Sequence, residues 1–109
     1  MAKTYKVLGQ SAPSATTDTT LYTVPASTQA VISTITICNR GSATGTFRLY
    51  IRPNDATLAN KHYIVYDASI AAKDTLFLTV GATMDATDVL EVYASTGDFS
   101  FNAYGSEIS

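Results

Sequence analysis

The sequence predicts an all-β domain, an antiparallel two-sheet β-sandwich of jelly-roll or immunoglobulin-like type, with about eight short strands and an N-terminal arm. Turn-forming residues recur roughly every 8–12 residues, a spacing typical of sandwiches and barrels. Between the turns, apolar and polar residues alternate as they do in half-buried strands. No stretch shows a helical apolar period, and the connections are too short for parallel crossovers. A chain of 109 residues has the size of one domain.

The N-terminal segment, residues 1–20, is predicted to be a short strand followed by a flexible arm, with the sandwich in residues 21–109. Tyr5, Val7 and Gln10 are compatible with a strand. The residues that follow are small and polar and include Pro13, which is typical of a loop. Such a strand is able to pair with its own domain or with a neighbouring molecule.

The strongest predicted strand covers residues 29–39. Strict alternation places Val31, Ser33, Ile35 and Ile37 on one face, which is the more apolar one. The opposite, wetter face then carries Ile32, Thr34, Thr36 and Cys38.

The most regular alternation lies in residues 46–52, where Phe47, Leu49 and Ile51 are expected to face the core. Residues 81–88 are predicted to form a polar loop. The other predicted strands are residues 21–24, 62–67, 74–80, 89–94 and 99–104, the last with Phe99, Phe101 and Ala103 facing inward.

The charge pattern argues against several classes of partner. The net charge is −2 and no basic stripe is present, so the electrostatic signature of a nucleic-acid-binding protein is missing. The N-terminus lacks the apolar segment of a signal peptide. No apolar run approaches the ~20 residues that span a bilayer. We therefore expect neither a nucleic-acid nor a membrane partner, and a chain made and kept in a cytoplasm or assembled there.

No group of residues has the pattern of a catalytic, cofactor or metal site. Cys38 is the single cysteine and is interpreted as a buried thiol, and His62 has no second ligand at metal spacing. Residues 85–88 carry two aspartates but lack the spaced oxygen ligands of a calcium loop. The sequence also lacks a Gly-x-Ser-x-Gly motif. It predicts a protein that is not an enzyme and has no cofactor.

The tyrosines are numerous, seven in a chain without tryptophan. Tyr50 is predicted to stand on an outer face between Arg48 and Arg52, and Tyr and Arg are enriched in protein interfaces. These three residues, with Tyr5 and Val7 of the N-terminal strand, form the predicted interface. The alternative is that the tyrosines simply line the rims of the sheets, with the ring packed and the hydroxyl wet.

Seven segments in order resemble a family of small structural proteins of tailed bacteriophages, particularly those of marine and cyanobacterial hosts. The likeness covers nearly the whole chain, and it lies in the collinear set rather than in any one motif. The segments are residues 8–13 (LGQSAP), 21–25 (LYTVP), 35–41 (ITICNRG), 47–51 (FRLYI), 61–67 (KHYIVYD), 88–94 (DVLEVYA) and 99–105 (FSFNAYG).

The resemblance implies a virion component without enzyme activity, assembled in the host cytoplasm. A capsid decoration or cement protein is the first expectation. The alternative within the resemblance is a tail, neck or fibre-associated module. The exposed aromatic residues, independently of the resemblance, leave open a receptor- or carbohydrate-binding sandwich. The implied partners are major capsid or tail proteins and further copies of the chain, as a homo-oligomer.

Overall fold

Eight strands make up most of the fold in a computed structural model that describes residues 2–109. Two short 3-10 turns, Pro53–Asp55 and Asn60–His62, follow the fourth strand. The strands are β1 (Lys3–Ser11), β2 (Thr19–Thr23), β3 (Gln29–Asn39), β4 (Gly45–Arg52), β5 (Tyr63–Ile70), β6 (Thr75–Met84), β7 (Val89–Ala94) and β8 (Phe99–Ile108).

The strands form two antiparallel sheets of four. The first sheet has the order β1-β8-β3-β6 and the second has the order β2-β7-β4-β5. The pairing is nested, because β1 pairs with β8, β2 with β7, β3 with β6 and β4 with β5. One long hairpin folded over on itself produces this order, and the β3–β8 and β4–β7 pairs then complete the sheets. The predicted sandwich is confirmed, and its strand order is that of a jelly roll.

The core is a single apolar layer between the two sheets. Phe47 of the second sheet contacts Phe99 and Phe101 of the first, with ring centroids 6.5 and 6.2 Å away. All three side chains are fully buried. The inward positions predicted for β4 and β8 are therefore confirmed, except that Ile51 is only half-buried against the core.

Bulges interrupt the first sheet at one level across its width. The register shifts at Leu8 in β1 and at Ser33 in β3. Because of this extra residue, Ile32 and Ile35 both point into the core although they are three positions apart. The prediction that Val31 and Ser33 share the apolar face is wrong, since Ser33 is exposed and Val31 is only half-buried.

The predicted loop at residues 81–88 is wrong in its first half. Strand β6 continues through Gly81 to Met84, and only residues 85–88 turn. Gly81 has φ 58°, in the left-handed region, and this conformation lets the strand continue through the bulge. Residues with a Cβ adopt that conformation only at a cost in conformational energy. A glycine expected to end the strand instead lies inside it.

The N-terminal segment is an edge strand of this domain. β1 pairs with β8 along its length, and the amides of Ala2 and Ser109 exchange backbone hydrogen bonds of 2.7 and 2.9 Å. Residues 12–18 then cross to the second sheet, where the Thr16 amide donates to the Ala94 carbonyl at 2.8 Å. The predicted boundary between the N-terminal arm and the sandwich, after residue 20, falls within β2.

The close approach of β8 to β3 requires glycine at position 105. A Cβ added there would collide with the Val31 carbonyl oxygen. We expect Gly105→Ala to lower the free energy of unfolding by about 1–3 kcal/mol, measured by urea denaturation. Gly97→Ala is the matched control, because the nearest atom to its added Cβ is 4.0 Å away. A Gly105→Ala protein as stable as the control would contradict this account.

Candidate protein-contact surfaces

The predicted interface residues of β4 lie on the outer face of the second sheet, but they already have partners within the chain. Tyr50 is fully buried, because its hydroxyl donates to Asp18 Oδ1 at 2.6 Å and its ring packs edge-on against Tyr63 at 5.2 Å. Burial and the Asp18 hydrogen bond raise the pKa of Tyr50 above its ordinary value. In this conformation Tyr50 is not accessible to another protein.

Arg48 is held between two tyrosines. Its guanidinium carbon lies 4.3 Å from the ring centroids of both Tyr66 and Tyr93. The same group donates to both carboxylate oxygens of Asp67, at 2.7 and 3.3 Å, and this lowers the pKa of Asp67. Arginine suits this position because a planar guanidinium can stack on aromatic rings and, at the same time, donate two hydrogen bonds to one carboxylate.

Arg52 lies beside Glu91 on the same face, with donor–acceptor distances of 3.1 and 2.9 Å. Burial raises the pKa of Glu91, but hydrogen bonds from Arg52 and Thr20 outweigh that effect and hold it below its usual value. Arg52 also contacts the exposed Asp55 at 2.8 Å. The charges of this face therefore neutralise one another, and contact of its arginines with another protein stays a prediction.

The outer face of the first sheet is different, because it carries almost no charge. Within residues 2–109, Lys3 is the only charged residue among the outward-facing strand positions of the first sheet. At the other end lies Arg40, whose Nε donates to Ser100 Oγ at 2.8 Å. Many positions between them are threonines, namely Thr34, Thr36, Thr75, Thr79 and Thr83.

Large apolar side chains project from this nearly uncharged face. Tyr5 is 77% exposed, Val7 47% and Phe77 72%. A shallow groove of about 620 Å³ lies at the bulge, between Tyr5 and Val7 on one side and Val31 on the other. The structure therefore brings together Tyr5 and Val7 on one sheet and Arg48, Tyr50 and Arg52 on the other, as two separate surfaces. The groove is also lined by Lys6, which pairs with Glu107 at 2.9 Å, so a partner meeting the first surface would cover this one ion pair at the β1 edge and otherwise uncharged side chains.

Sequence reasoning missed Phe77 as an exposed aromatic residue. The signal is present in the sequence, because alternation along the predicted strand 74–80 puts Leu76, Leu78 and Val80 on one face. Alternation then requires Phe77 to lie on the opposite face, and its partner Thr36 is on the outer side of β3.

The cysteine, the histidine and an aspartate of residues 85–88 were the other candidates for chemistry, and the structure shows the surroundings of each. Cys38 is half-buried on the outer face of β3, so its interpretation as a buried thiol is wrong. His62 is buried, and its Nδ1 accepts the Ala59 amide at 3.0 Å. The Asp88 carboxylate accepts the amides of Asn54 and Asp85, both at 2.8 Å.

Within residues 2–109, no three side chains of His, Cys, Asp or Glu come together as they would around a metal ion. The same residues include no helix with the length and apolar character needed to cross a membrane. Comparison with protein-family models and with curated proteins finds no match to this chain.

The Glu91–Arg52 pair should make stability depend on pH. The pKa of Glu91 is lower in the fold than its ordinary value of 4.5, so the stabilisation is present above that pH and is lost as the pH falls through the folded pKa. We expect Glu91→Gln to cost about 1.5–3 kcal/mol at neutral pH, because Arg52 loses a charged acceptor. Urea denaturation from neutral pH to about pH 3 should show this difference shrinking on acidification.

Asp55→Asn is the matched control, since Asp55 contacts the same arginine but its side chain is 70% exposed. It should change stability by less than ~1 kcal/mol. A difference between wild type and Glu91→Gln that stays constant at acid pH would contradict the assignment.

Proposed function

We propose that this chain is a non-enzymatic structural protein of a bacteriophage particle that binds other virion proteins, foremost as a capsid decoration or cement protein. Its partners are major capsid proteins or, if it belongs to the tail, neck or fibre, tail proteins. It is assembled into the virion in the host cytoplasm.

The observation that carries the proposal is the nearly uncharged outer face of the first sheet. Three large apolar side chains, Tyr5, Val7 and Phe77, stand exposed there among short hydroxyl-bearing ones. Short side chains lose little conformational entropy when a partner covers them, and the Lys6–Glu107 pair at the β1 edge is the one ion pair beside the groove in residues 2–109. This surface is suited to lasting contact with another protein, and large exposed apolar patches commonly mark such contacts.

The fold and the collinear sequence resemblance give further support. Jelly rolls include viral capsid domains as well as lectins, although a fold alone does not define a function. In a symmetric array, many copies of one modest contact reinforce one another, so a shallow face without a deep pocket is sufficient.

The first test replaces the exposed apolar side chains of β1. We expect the double variant Tyr5→Ser, Val7→Ser to keep its fold, because both residues are exposed. Its copy number in purified phage particles should fall about tenfold or more, since the contact loses apolar burial. Quantitative mass spectrometry of the particles measures this.

The matched control is Ile64→Ser, which removes an apolar side chain that is 46% exposed on the other sheet. It should leave the copy number unchanged. Absence of the wild-type chain from purified particles would refute the proposed function, and full incorporation of the double variant would refute the assigned face.

A second candidate function is binding of a carbohydrate or receptor by the second sheet. The observation in its favour is Tyr66, which is 59% exposed beside Tyr63 and Arg48. An exposed ring next to an arginine offers stacking and hydrogen bonding to a sugar.

On a glycan array, this second candidate predicts binding that Tyr66→Ala abolishes and that the β1 double variant retains. Circular dichroism would confirm that Tyr66→Ala remains folded. Failure of the wild-type protein to bind any glycan would count against it.

A further inference from the structure

We propose that β6 is the edge through which two copies of this chain pair, antiparallel, about a two-fold axis at Phe77. The two first sheets then become one continuous sheet of twice the width. This contact goes beyond the proposed binding to other virion proteins, because the partner here is a second copy.

The four free edges of the sandwich are not equivalent. β1 carries Lys3 and Lys6, and it lies against β2, with Gly9 at the Leu21 carbonyl. β2 has only five residues. β5 is irregular, with register shifts opposite β4 and Asp67 at φ 53°. Lysines, short length and bulges are the features that keep natural sheet edges from pairing.

β6 has no such protection over its first half. Its ten residues include no charged residue and no proline. From Thr75 to Thr79 its register with β3 is regular, and the bulge comes only afterwards, before Ala82. The outer side of β6 therefore offers free backbone donors and acceptors in a straight, uncharged segment, which is a template for another strand.

The sequence of this segment is a palindrome. Residues 75–79 read Thr-Leu-Phe-Leu-Thr, the same in both directions. An isologous two-fold contact requires a surface that is complementary to itself, and an antiparallel palindrome meets that requirement. With the axis at Phe77, each residue of one copy faces its own type on the other.

The exposed side chains fit this register. Phe77, 72% exposed in one copy, faces Phe77 of the second copy on the outer side of the sheet. Leu76, 37% exposed, faces Leu78 on the core side, so the pairing extends the apolar layer. Thr75 faces Thr79. Aromatic pairs, leucine pairs and threonine pairs are all favourable across antiparallel strands.

The charges near the edge do not oppose one another. In this register Asp74 faces Val80 and Lys73 faces Gly81 of the second copy. The contact involves about five residues a side, far fewer than the roughly 20–30 of a standard interface. We therefore expect a weak dimer, with a dissociation constant between about 10 µM and 1 mM, which dense packing on a particle would populate.

Sedimentation velocity of the full chain, from about 1 µM to 1 mM, tests the dimer directly. Phe77→Lys places two like charges against each other and should weaken association about tenfold or more. Thr83→Lys is the matched control, because it lies on the same strand and the same face but beyond Gly81. It should associate like the wild type.

Disulfide trapping tests the register without removing Phe77. Cys38 is first replaced by serine, since it lies opposite Thr75 within one chain. In that background, Thr75→Cys mixed with Thr79→Cys should form a cross-linked heterodimer, because directly opposite Cα atoms lie ~4.5–5.5 Å apart. Each variant alone should not cross-link, since its own cysteines would be ~13 Å apart along the strand.

A chain that stays monomeric at ~1 mM would overturn the proposal, and so would cross-linking that is equal in the single and mixed samples. Loss of association in Thr83→Lys as well as Phe77→Lys would also overturn it. None of these outcomes bears on the copy number of the β1 double variant in particles, so the two proposals fail separately.

Discussion

The contact of Phe47 with Phe99 and Phe101 joins the two sheets, and the rest of the molecule is arranged around it. Packed sheets lie ~10 Å apart, so one layer of interdigitating side chains fills the whole interior. These three rings are fully buried at that layer. Most polar side chains of the strands therefore lie on an outer face or at an edge. Asn39 of β3 is an exception, because its buried side chain donates to the carbonyls of Ala43 and Ile70.

The two outer faces have opposite chemistry. On the second sheet, Arg48 and Arg52 are matched by Asp67 and Glu91, and the segments around residues 12–18 and 53–62 lie beside the sheet. That face has satisfied its own charges and buried Tyr50. Among the described residues, the outer face of the first sheet has no corresponding set of paired arginines and carboxylates, and Tyr5 and Phe77 are exposed there. The two outer faces therefore differ in charge and in how much of their aromatic surface is exposed.

Alternation in the sequence was sufficient to predict the strands that contain no bulge, such as β4 and β7. It failed where the backbone inserts a residue, because one extra residue at Ser33 exchanges the two faces of everything beyond it. The outer position of Tyr50 was also predicted, but its burial was not. That burial depends on Asp18, 32 residues earlier in the chain, and on Tyr63, neither of which an alternation pattern can place. The free edge of β6 likewise became visible only with the order of strands.

The hydrogen bonds between Ala2 and Ser109 bring the first and last described residues side by side. A peptide or a fluorescent protein fused at either end would leave the sandwich from one corner, at the β1 edge of the first sheet. A circularly permuted chain, closed there by a short linker and opened in the turn at residues 96–98, would keep every strand pair of the jelly roll. The site of attachment on this scaffold can therefore be moved from one pole of the domain to the other without altering either outer face.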